Sequence, residues 1–162
     1  MKTSPAVFPT VQAVADFLAP QRAQGKTLVT TNGCFDLLHG GHVQYLTEAA
    51  ALADILVVGV NCDAVIKKLK GNDRPLQPEA ARAAIIGSLK VVDAAFIFYE
   101  DDPLTFLEIL RPTIHVKGGD YSDNIIEKPV VEKYGGKIQI VSFLNGFGTT
   151  SIINKIKTTK GC

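Results

Sequence analysis

An α/β fold with a parallel sheet of five strands and helices on both faces is predicted for this chain of 162 residues. Segments rich in β-branched residues alternate with segments in which apolar residues recur at helical spacing. The run at 55–60 is almost wholly apolar, as in strands buried on both faces of a parallel sheet. Strands that alternate with helices form parallel sheets through right-handed crossovers. The sequence therefore predicts a doubly wound, Rossmann-like domain.

Each element is predicted from its own local pattern. The strand over 27–32 is short and β-rich, and it stops at the turn-forming pair Asn32-Gly33. The helix over 78–89 has Pro78 in its first turn, where the missing N–H costs nothing. Helices are predicted over 11–22, 43–52, 78–89, 103–110, 126–134 and 149–156, and strands over 27–32, 55–60, 94–98, 114–117 and 137–143.

Composition excludes several classes of protein. Hydrophobic residues make up 46% and charged residues 20%, and the net charge is +1, without the basic excess of a nucleic-acid-binding protein. Cys34, Cys62 and Cys162 form neither a CxxC pair nor the framework of a small secreted protein. This pattern favours reduced thiols in a cytoplasmic enzyme.

The ends of the chain predict a single soluble domain. Residues 1–9 lack the layout of a signal peptide, and no apolar run is long enough to cross a bilayer. We expect one cytoplasmic domain over 1–162, with its core at about 27–157.

Polar and glycine-rich residues follow the predicted strands at their carboxyl ends. In open parallel sheets, ligands bind beyond these ends, where the strand order reverses. The segments at this edge are 33–42, 61–63, 117–121 and 145–151. They are therefore the candidate site.

The segment at 33–42 reads GCFDLLHGGH and carries the predicted chemistry. A helix that begins just after the paired glycines would present unpaired N–H groups to a phosphate. His39 and His42 flank the glycines, so both can face one triphosphate, and imidazolium donors would stabilise charge in the transition state. The alternative without a functional role is that they are two surface histidines at a helix start. The predicted nucleotide contacts here are Gly33, Cys34, Phe35, His39, Gly41 and His42.

The GCFD turn followed by HGGH resembles the HxGH motif of the cytidylyltransferase-like nucleotidyltransferase superfamily, in which this motif binds the triphosphate. The resemblance extends over 28–156. Four further motifs are similar to the D-glycero-β-D-manno-heptose 1-phosphate adenylyltransferase domain of bacterial ADP-heptose synthases. They are NCD at 61–63, LKGNDRP at 69–75, VKGGDY at 116–121 and GTTSII at 148–153.

This resemblance implies transfer of AMP from ATP to the heptose 1-phosphate, with Mg²⁺ and with release of pyrophosphate, for lipopolysaccharide or another surface glycan. It also implies a homodimer or a larger homo-oligomer. In many bacteria the domain is fused behind a sugar kinase. We expect a stand-alone form here, because 162 residues leave no room for a kinase.

The lysines before Gly71 are candidates for a flap over the phosphates. Lys67, Lys68 and Lys70 form a basic cluster, which either contains a functional lysine or is a solvated face. The resemblance favours Lys70 and Lys67 as catalytic.

Four residues are predicted to bind substrate or metal. Asp36 is either a Mg²⁺ ligand or a turn residue that binds its own backbone. Arg74 and Arg82 have the guanidinium geometry that suits phosphate, although a surface salt bridge to Glu79 or a dimer contact is an alternative for Arg82. Asp63 could accept hydrogen bonds from sugar hydroxyls or cap the next helix.

One departure from the related pattern involves Glu79. Related enzymes carry an acidic residue two places before the arginine, whereas Ala80 occupies that position and Glu79 is one place early. The role of Glu79 therefore remains open.

The last two loops complete the predicted site. Lys117, Gly119 and Asp120 are predicted to contact nucleotide or sugar phosphate, the alternative being a tight glycine turn. Gly148, Thr149, Thr150 and Ser151 begin the last helix and are predicted to hold the β- and γ-phosphates, the alternative being a helix cap without a ligand. Related cytidylyltransferases have an arginine where this chain has Leu144-Asn145, which argues mildly against that activity.

Two other functions stay open. One is a cytidylyltransferase that acts on glycerol 3-phosphate or another alcohol phosphate, and the other is an inactive nucleotide-binding regulatory module. A dinucleotide-dependent oxidoreductase is disfavoured because no G-x-G-x-x-G follows the first predicted strand.

Overall fold

The computed structural model describes residues 6–119, 125–142, 146 and 148–159. Within them, six strands form one sheet in which every pairing is parallel, in the order β1-β4-β3-β2-β5-β6. The strands are β1 (Val7–Phe8), β2 (Leu28–Gly33), β3 (Ile55–Asn61), β4 (Ala94–Phe98), β5 (Ile114–Gly118) and β6 (Lys137–Val141).

Helices connect the strands in the described part of the chain. They are α1 (Val11–Ala23), α2 (Gly40–Ala50), α3 (Asp63–Lys70), α4 (Glu79–Ser88), α5 (Leu104–Leu110), α6 (Lys128–Lys133) and α7 (Thr149–Thr158). None of these described helices has the length and apolar character that a membrane span requires.

The prediction of five strands is corrected to six. The additional strand, β1, pairs Val7 with Ala95 and Phe8 with Phe96 at the edge of the sheet. Two residues are too few to show a periodicity, so local pattern could not reveal this strand. Likewise, α3 occupies a segment in which no helix is predicted.

The predicted helices on both faces of the sheet are confirmed by two separate cores. One core includes Leu46 of α2 and Ile86 of α4. The other includes Leu18 of α1, Phe106 of α5 and Val131 of α6. All seven residues of β3 are buried between these two layers, as its apolar sequence predicts.

The strand order positions the candidate site. From β2 the chain steps outward to β3 and β4, and it then returns to place β5 on the opposite side of β2. The strand order therefore reverses between β2 and β5, and a crevice opens at their carboxyl ends.

Candidate active site

A cavity of about 340 Å³ lies at the carboxyl ends of β2 and β5. It is lined by residues 32–36, by His42 and Tyr45 of α2, by Lys70 and Arg74, by Lys117 and Gly118 of β5, and by Thr149 of α7. The structure thus brings together residues from each of the loops predicted to form a site except 61–63.

The two histidines lie in the first turn of α2. His39 is the N-cap of this helix, and its Nδ1 accepts a hydrogen bond from the His42 backbone N–H at 3.4 Å. The two imidazole rings stack with 3.8 Å between their centroids. Both rings are therefore held at the N-terminal end of the helix, where the motif is predicted to bind phosphate.

Electrostatics make the resting histidines neutral. Burial, together with the positive charges of His39 and Lys70, lowers the pKa of His42 to about 4, against a hydrogen bond to the Leu37 backbone that favours the charged ring. Burial also lowers the pKa of His39. The predicted imidazolium form is therefore not the resting state at neutral pH. A bound triphosphate would favour it, because nearby negative charge raises the pKa of an imidazole.

Phe35 shapes the turn between β2 and α2. Its φ of 47° lies in the left-handed region, which is uncommon for a residue with a side chain. Its ring packs edge-on against His42 with 5.3 Å between centroids. A Cβ at Gly33 would lie 3.0 Å from atoms of this ring. A side chain at position 33 would therefore force a shift of the Phe35 ring that supports His42.

Asp36 is buried, and both carboxylate oxygens have protein partners. Oδ1 accepts from the backbone N–H groups of Leu76 at 2.8 Å and Gln77 at 3.0 Å, and Oδ2 accepts from Arg74 Nε at 2.5 Å. These partners belong to a loop about forty positions later in the chain, and not to the turn that contains Asp36. Direct Mg²⁺ coordination would compete with all three bonds. The described residues contain no cluster of His, Cys, Asp or Glu that fits a metal ion. The tentative assignment of Asp36 as a metal ligand therefore does not fit this arrangement.

Arg82 is fully buried and does not reach the cavity. Its guanidinium donates to the backbone carbonyls of Cys34, Asn61 and Gln77 and to the Asp63 carboxylate. These contacts join the ends of β2 and β3 to the loop that follows α3. Neither the predicted phosphate contact nor the alternative surface salt bridge to Glu79 describes this position. Arg82 is a structural tie between three loops.

The predicted lysines separate into two groups. Lys70, the last residue of α3, lines the cavity, whereas Lys67 does not. Lys68 pairs with Asp101 at 2.7 Å on the exposed surface. The other predicted residue of α3, Asp63, is bound to Arg82 and also lies outside the cavity lining.

Lys117 lines the cavity from β5, and its Nζ donates to Glu127. Gly119 has a φ of 114°, which glycine adopts most readily, and its N–H donates to Val141 O at 3.1 Å. Both the ligand contact and the glycine turn are therefore compatible with this loop. The predicted Asp120 lies outside the described residues.

At the start of α7, Thr149 lines the cavity and donates from its hydroxyl to Leu37 O at 3.3 Å. Gly148 is the N-cap, and the Ser151 hydroxyl donates to its carbonyl at 2.8 Å. Thr150 and Ser151 are exposed and do not line the cavity. Among the residues of this helix predicted to hold phosphate, Thr149 therefore lines the cavity, and its contact with phosphate stays a prediction.

Three features in and beside the cavity are not predicted from the sequence. Tyr45 binds Thr31 Oγ1 at 2.6 Å and Val116 O at 3.1 Å, and so braces β2 against β5. Tyr45 follows His42 by three residues, which places both on one face of the helix, and this spacing could have identified Tyr45 as a residue of the site. The Asn32 side-chain oxygen is buried at the cavity and has no hydrogen-bond partner among the described residues. Nothing in the sequence around Glu127 indicates that it is the partner of Lys117.

The switch-point cavity, the histidine pair at a helix start and the surrounding cations are features of an α/β domain that can bind phosphate groups. Residues 30–160 match the family model described as cytidylyltransferase-like. The chain belongs to this family of nucleotidyltransferases.

Curated relatives and solved structures agree with this assignment. The chain is 49% identical over 156 residues to the bifunctional protein HldE of Geotalea uraniireducens and 48% identical over 152 residues to that of Geobacter sulfurreducens. These matches cover 96% and 93% of this chain but only 32% and 31% of the relatives. The chain therefore spans about a third of the length of these relatives.

Two solved structures are similar. The lipopolysaccharide core biosynthesis protein from Thermoplasma volcanium GSS1 is 34% identical, with a TM-score of 0.60, and the match covers 74% of this chain and 98% of that protein. A pantoate-β-alanine ligase from Francisella tularensis is 16% identical, with a TM-score of 0.58, over 94% of this chain and 78% of the ligase. The ligase supports the fold alone.

Proposed function

We propose that the protein transfers AMP from ATP to D-glycero-β-D-manno-heptose 1-phosphate, giving ADP-heptose and pyrophosphate. The observation that carries this proposal is the cavity lined by His42, Lys70, Arg74 and Lys117, with His39 stacked on His42 at the start of α2. The choice of ATP and of the heptose phosphate is supported by the four loop motifs and by the identity to the HldE proteins.

The cavity is suited to a polyanion. Arg74 offsets the carboxylate of Asp36, the one found among the described lining residues, while Lys70 adds positive charge. The charge of Lys117 is offset by Glu127. The N-terminus of α2 adds a partial positive charge and unpaired N–H groups. The triphosphate would therefore lie between α2, the end of α3 and the start of α7.

The proposed transfer is a direct, in-line displacement. An oxygen of the sugar 1-phosphate forms a bond to the α-phosphorus of ATP, and the bond from that phosphorus to the bridging oxygen breaks, with its electron pair leaving on pyrophosphate. The attacking phosphate is already ionised near neutral pH, so no general base is required. His39, His42 and Lys70 would stabilise the charge that develops on the α-phosphate and the leaving group. Mg²⁺ would enter as the ATP complex and offset phosphate charge.

The decisive experiment measures pyrophosphate release with MgATP and MgCTP, each with the heptose 1-phosphate and with glycerol 3-phosphate. Turnover only with ATP and the heptose phosphate is expected. Turnover only with CTP would move the protein to the cytidylyltransferase function. Nucleotide binding without turnover in all four mixtures would favour the inactive regulatory module.

We also propose that residues 1–162 fold as one nucleotidyltransferase domain, which is cytoplasmic and assembles into a homodimer or larger homo-oligomer. The free thiols of Cys34 and Cys62 support a reducing compartment. Sedimentation velocity at several protein concentrations would test the oligomeric state.

A further inference from the structure

The helix α3 receives no side-chain cap from its own N-cap residue. Its N-cap residue, Cys62, makes no side-chain hydrogen bond to the helix, and only Val65 and Ile66 of its eight residues are buried. Leu69 is 65% exposed, and the helix is followed by its C-cap residue, Gly71, whose φ is 93°. The position of its last residue therefore depends on how its first turn is fixed.

A second helix supplies the missing cap. The Glu79 carboxylate, in the first turn of α4, accepts a hydrogen bond from the Asp63 backbone N–H at 2.7 Å through Oε2. One turn later, Arg82 donates to the Asp63 side chain at 2.7 Å. The first residue of α3 is thus held through both its backbone and its side chain.

The chemistry of this contact suits a helix start. A carboxylate there satisfies an N–H that has no partner within the helix and lies at the positive end of the helix dipole. The remaining Glu79 contact is a long bond from the Tyr99 hydroxyl, at 3.3 Å, and Tyr99 is 66% exposed. The contact to Asp63 is therefore the stronger of the two.

The same helix carries a cavity lysine at its other end. Lys70 lies about 10 Å along the axis from Asp63, at 1.5 Å per residue. A tilt of about 6° at the start would move Lys70 by about 1 Å. A displacement of this size at a reacting centre can reduce turnover about 100-fold.

We propose that Glu79 is a positioning residue, which caps α3 from α4 and thereby holds Lys70 at the nucleotide cavity. The kinetic consequence rests on the proposed nucleotidyl transfer, whereas the placement of Lys70 does not.

A double-mutant cycle tests the kinetic consequence. Glu79→Ala is expected to lower kcat by roughly 30- to 100-fold with a smaller change in KM, and to cost less than about 3-fold when Lys70→Ala is already present. Glu79→Gln keeps an acceptor oxygen and is expected to retain most of the activity. Tyr99→Phe, the matched control, removes only the hydroxyl bond to Glu79 and should leave kcat unchanged. If Glu79→Ala lowers kcat by the same factor in the wild type and in the Lys70→Ala variant, the proposal is overturned.

The titration of His42, followed by NMR of its ring C–H signals, tests the placement without turnover. The charges of Lys70 and His39 lower the pKa of His42, so a displaced Lys70 would let this pKa rise. Loss of the Glu79 negative charge alone would act in the opposite direction. A rise in Glu79→Ala that is absent when Lys70→Ala is present supports the proposal. An unchanged or lowered pKa in the Glu79→Ala variant alone contradicts it. If the wild-type enzyme shows no turnover, the proposed reaction fails while this titration still decides the placement of Lys70.

Discussion

The two walls of the cavity are stabilised in different ways. On one wall, β2 and α2 carry the histidines on a packed base, with Gly41, Tyr45, Leu46 and Ala49 of α2 all buried. On the other wall, α3 and the loop to α4 bury little and are held by polar contacts, chiefly Asp36 with Arg74 and Glu79 with Asp63. The packed wall presents chemical groups with little freedom. The polar wall can adjust to a ligand, but its geometry depends on single hydrogen bonds.

Loss of a histidine from the packed wall should give the largest effect. His39→Ala and His42→Ala are each expected to lower kcat by about 100- to 1,000-fold, because each removes a positioned donor to the transition state. Gln44→Ala, on the exposed face of the same helix, is the control and should keep full activity. Steady-state pyrophosphate release checks this, and unchanged turnover in His39→Ala would contradict the proposed mechanism.

The polar wall should lose stability when its central ion pair is broken. Asp36→Ala is expected to lower the free energy of unfolding by about 3 kcal/mol, because it leaves Arg74 and two backbone N–H groups without their acceptor. Lys68→Ala, which breaks the exposed pair with Asp101, should cost less than about 1 kcal/mol. Denaturant unfolding monitored by circular dichroism measures both. Equal losses of unfolding free energy in the two variants would mean that Asp36 does not stabilise the polar wall.

Within the polar wall, Lys67 and Lys70 lie one turn apart and should differ in their contribution to kcat. Lys70→Ala is expected to lower kcat by about 100-fold, since Lys70 lines the cavity and would stabilise phosphate charge. Lys67→Ala should stay within about 3-fold of the wild type, because Lys67 lies outside the cavity lining. A larger loss in Lys67→Ala than in Lys70→Ala would show that α3 rotates when the nucleotide binds.

The smallest expected effect is proton uptake by His42, on the packed wall, when the nucleotide binds. The pKa of His42 is about 4 without nucleotide, and the triphosphate charge should raise it. Binding of MgATP near neutral pH should therefore take up a fraction of a proton, and affinity should increase as the pH falls toward the free-protein value. Calorimetry in two buffers of different ionisation enthalpy measures this uptake. The His42→Gln variant should lose it, and proton release in the wild type would contradict the assignment.

The same contrast explains how much could be predicted from the sequence. Strands such as β3 and the histidine turn are encoded by contiguous residues, so local patterns identified them. The role of Asp36 depends on partners 38 to 41 positions later, and that of Arg82 on a carbonyl 48 positions earlier. Such pairings arise only when the loops meet in the fold. Arg82 was therefore assigned to substrate by its residue type, whereas its guanidinium is used inside the protein.

The short strand β1 has a consequence for solubility. A sheet edge exposes unpaired backbone groups that can recruit a strand from another molecule. In this sheet, one edge is a strand of two residues, and the opposite edge, β6, alternates its exposure and carries Lys137 and Gln139 outward. Both features discourage edge-to-edge aggregation, so lengthening β1 or replacing Lys137 by valine would make this domain more prone to form intermolecular sheet.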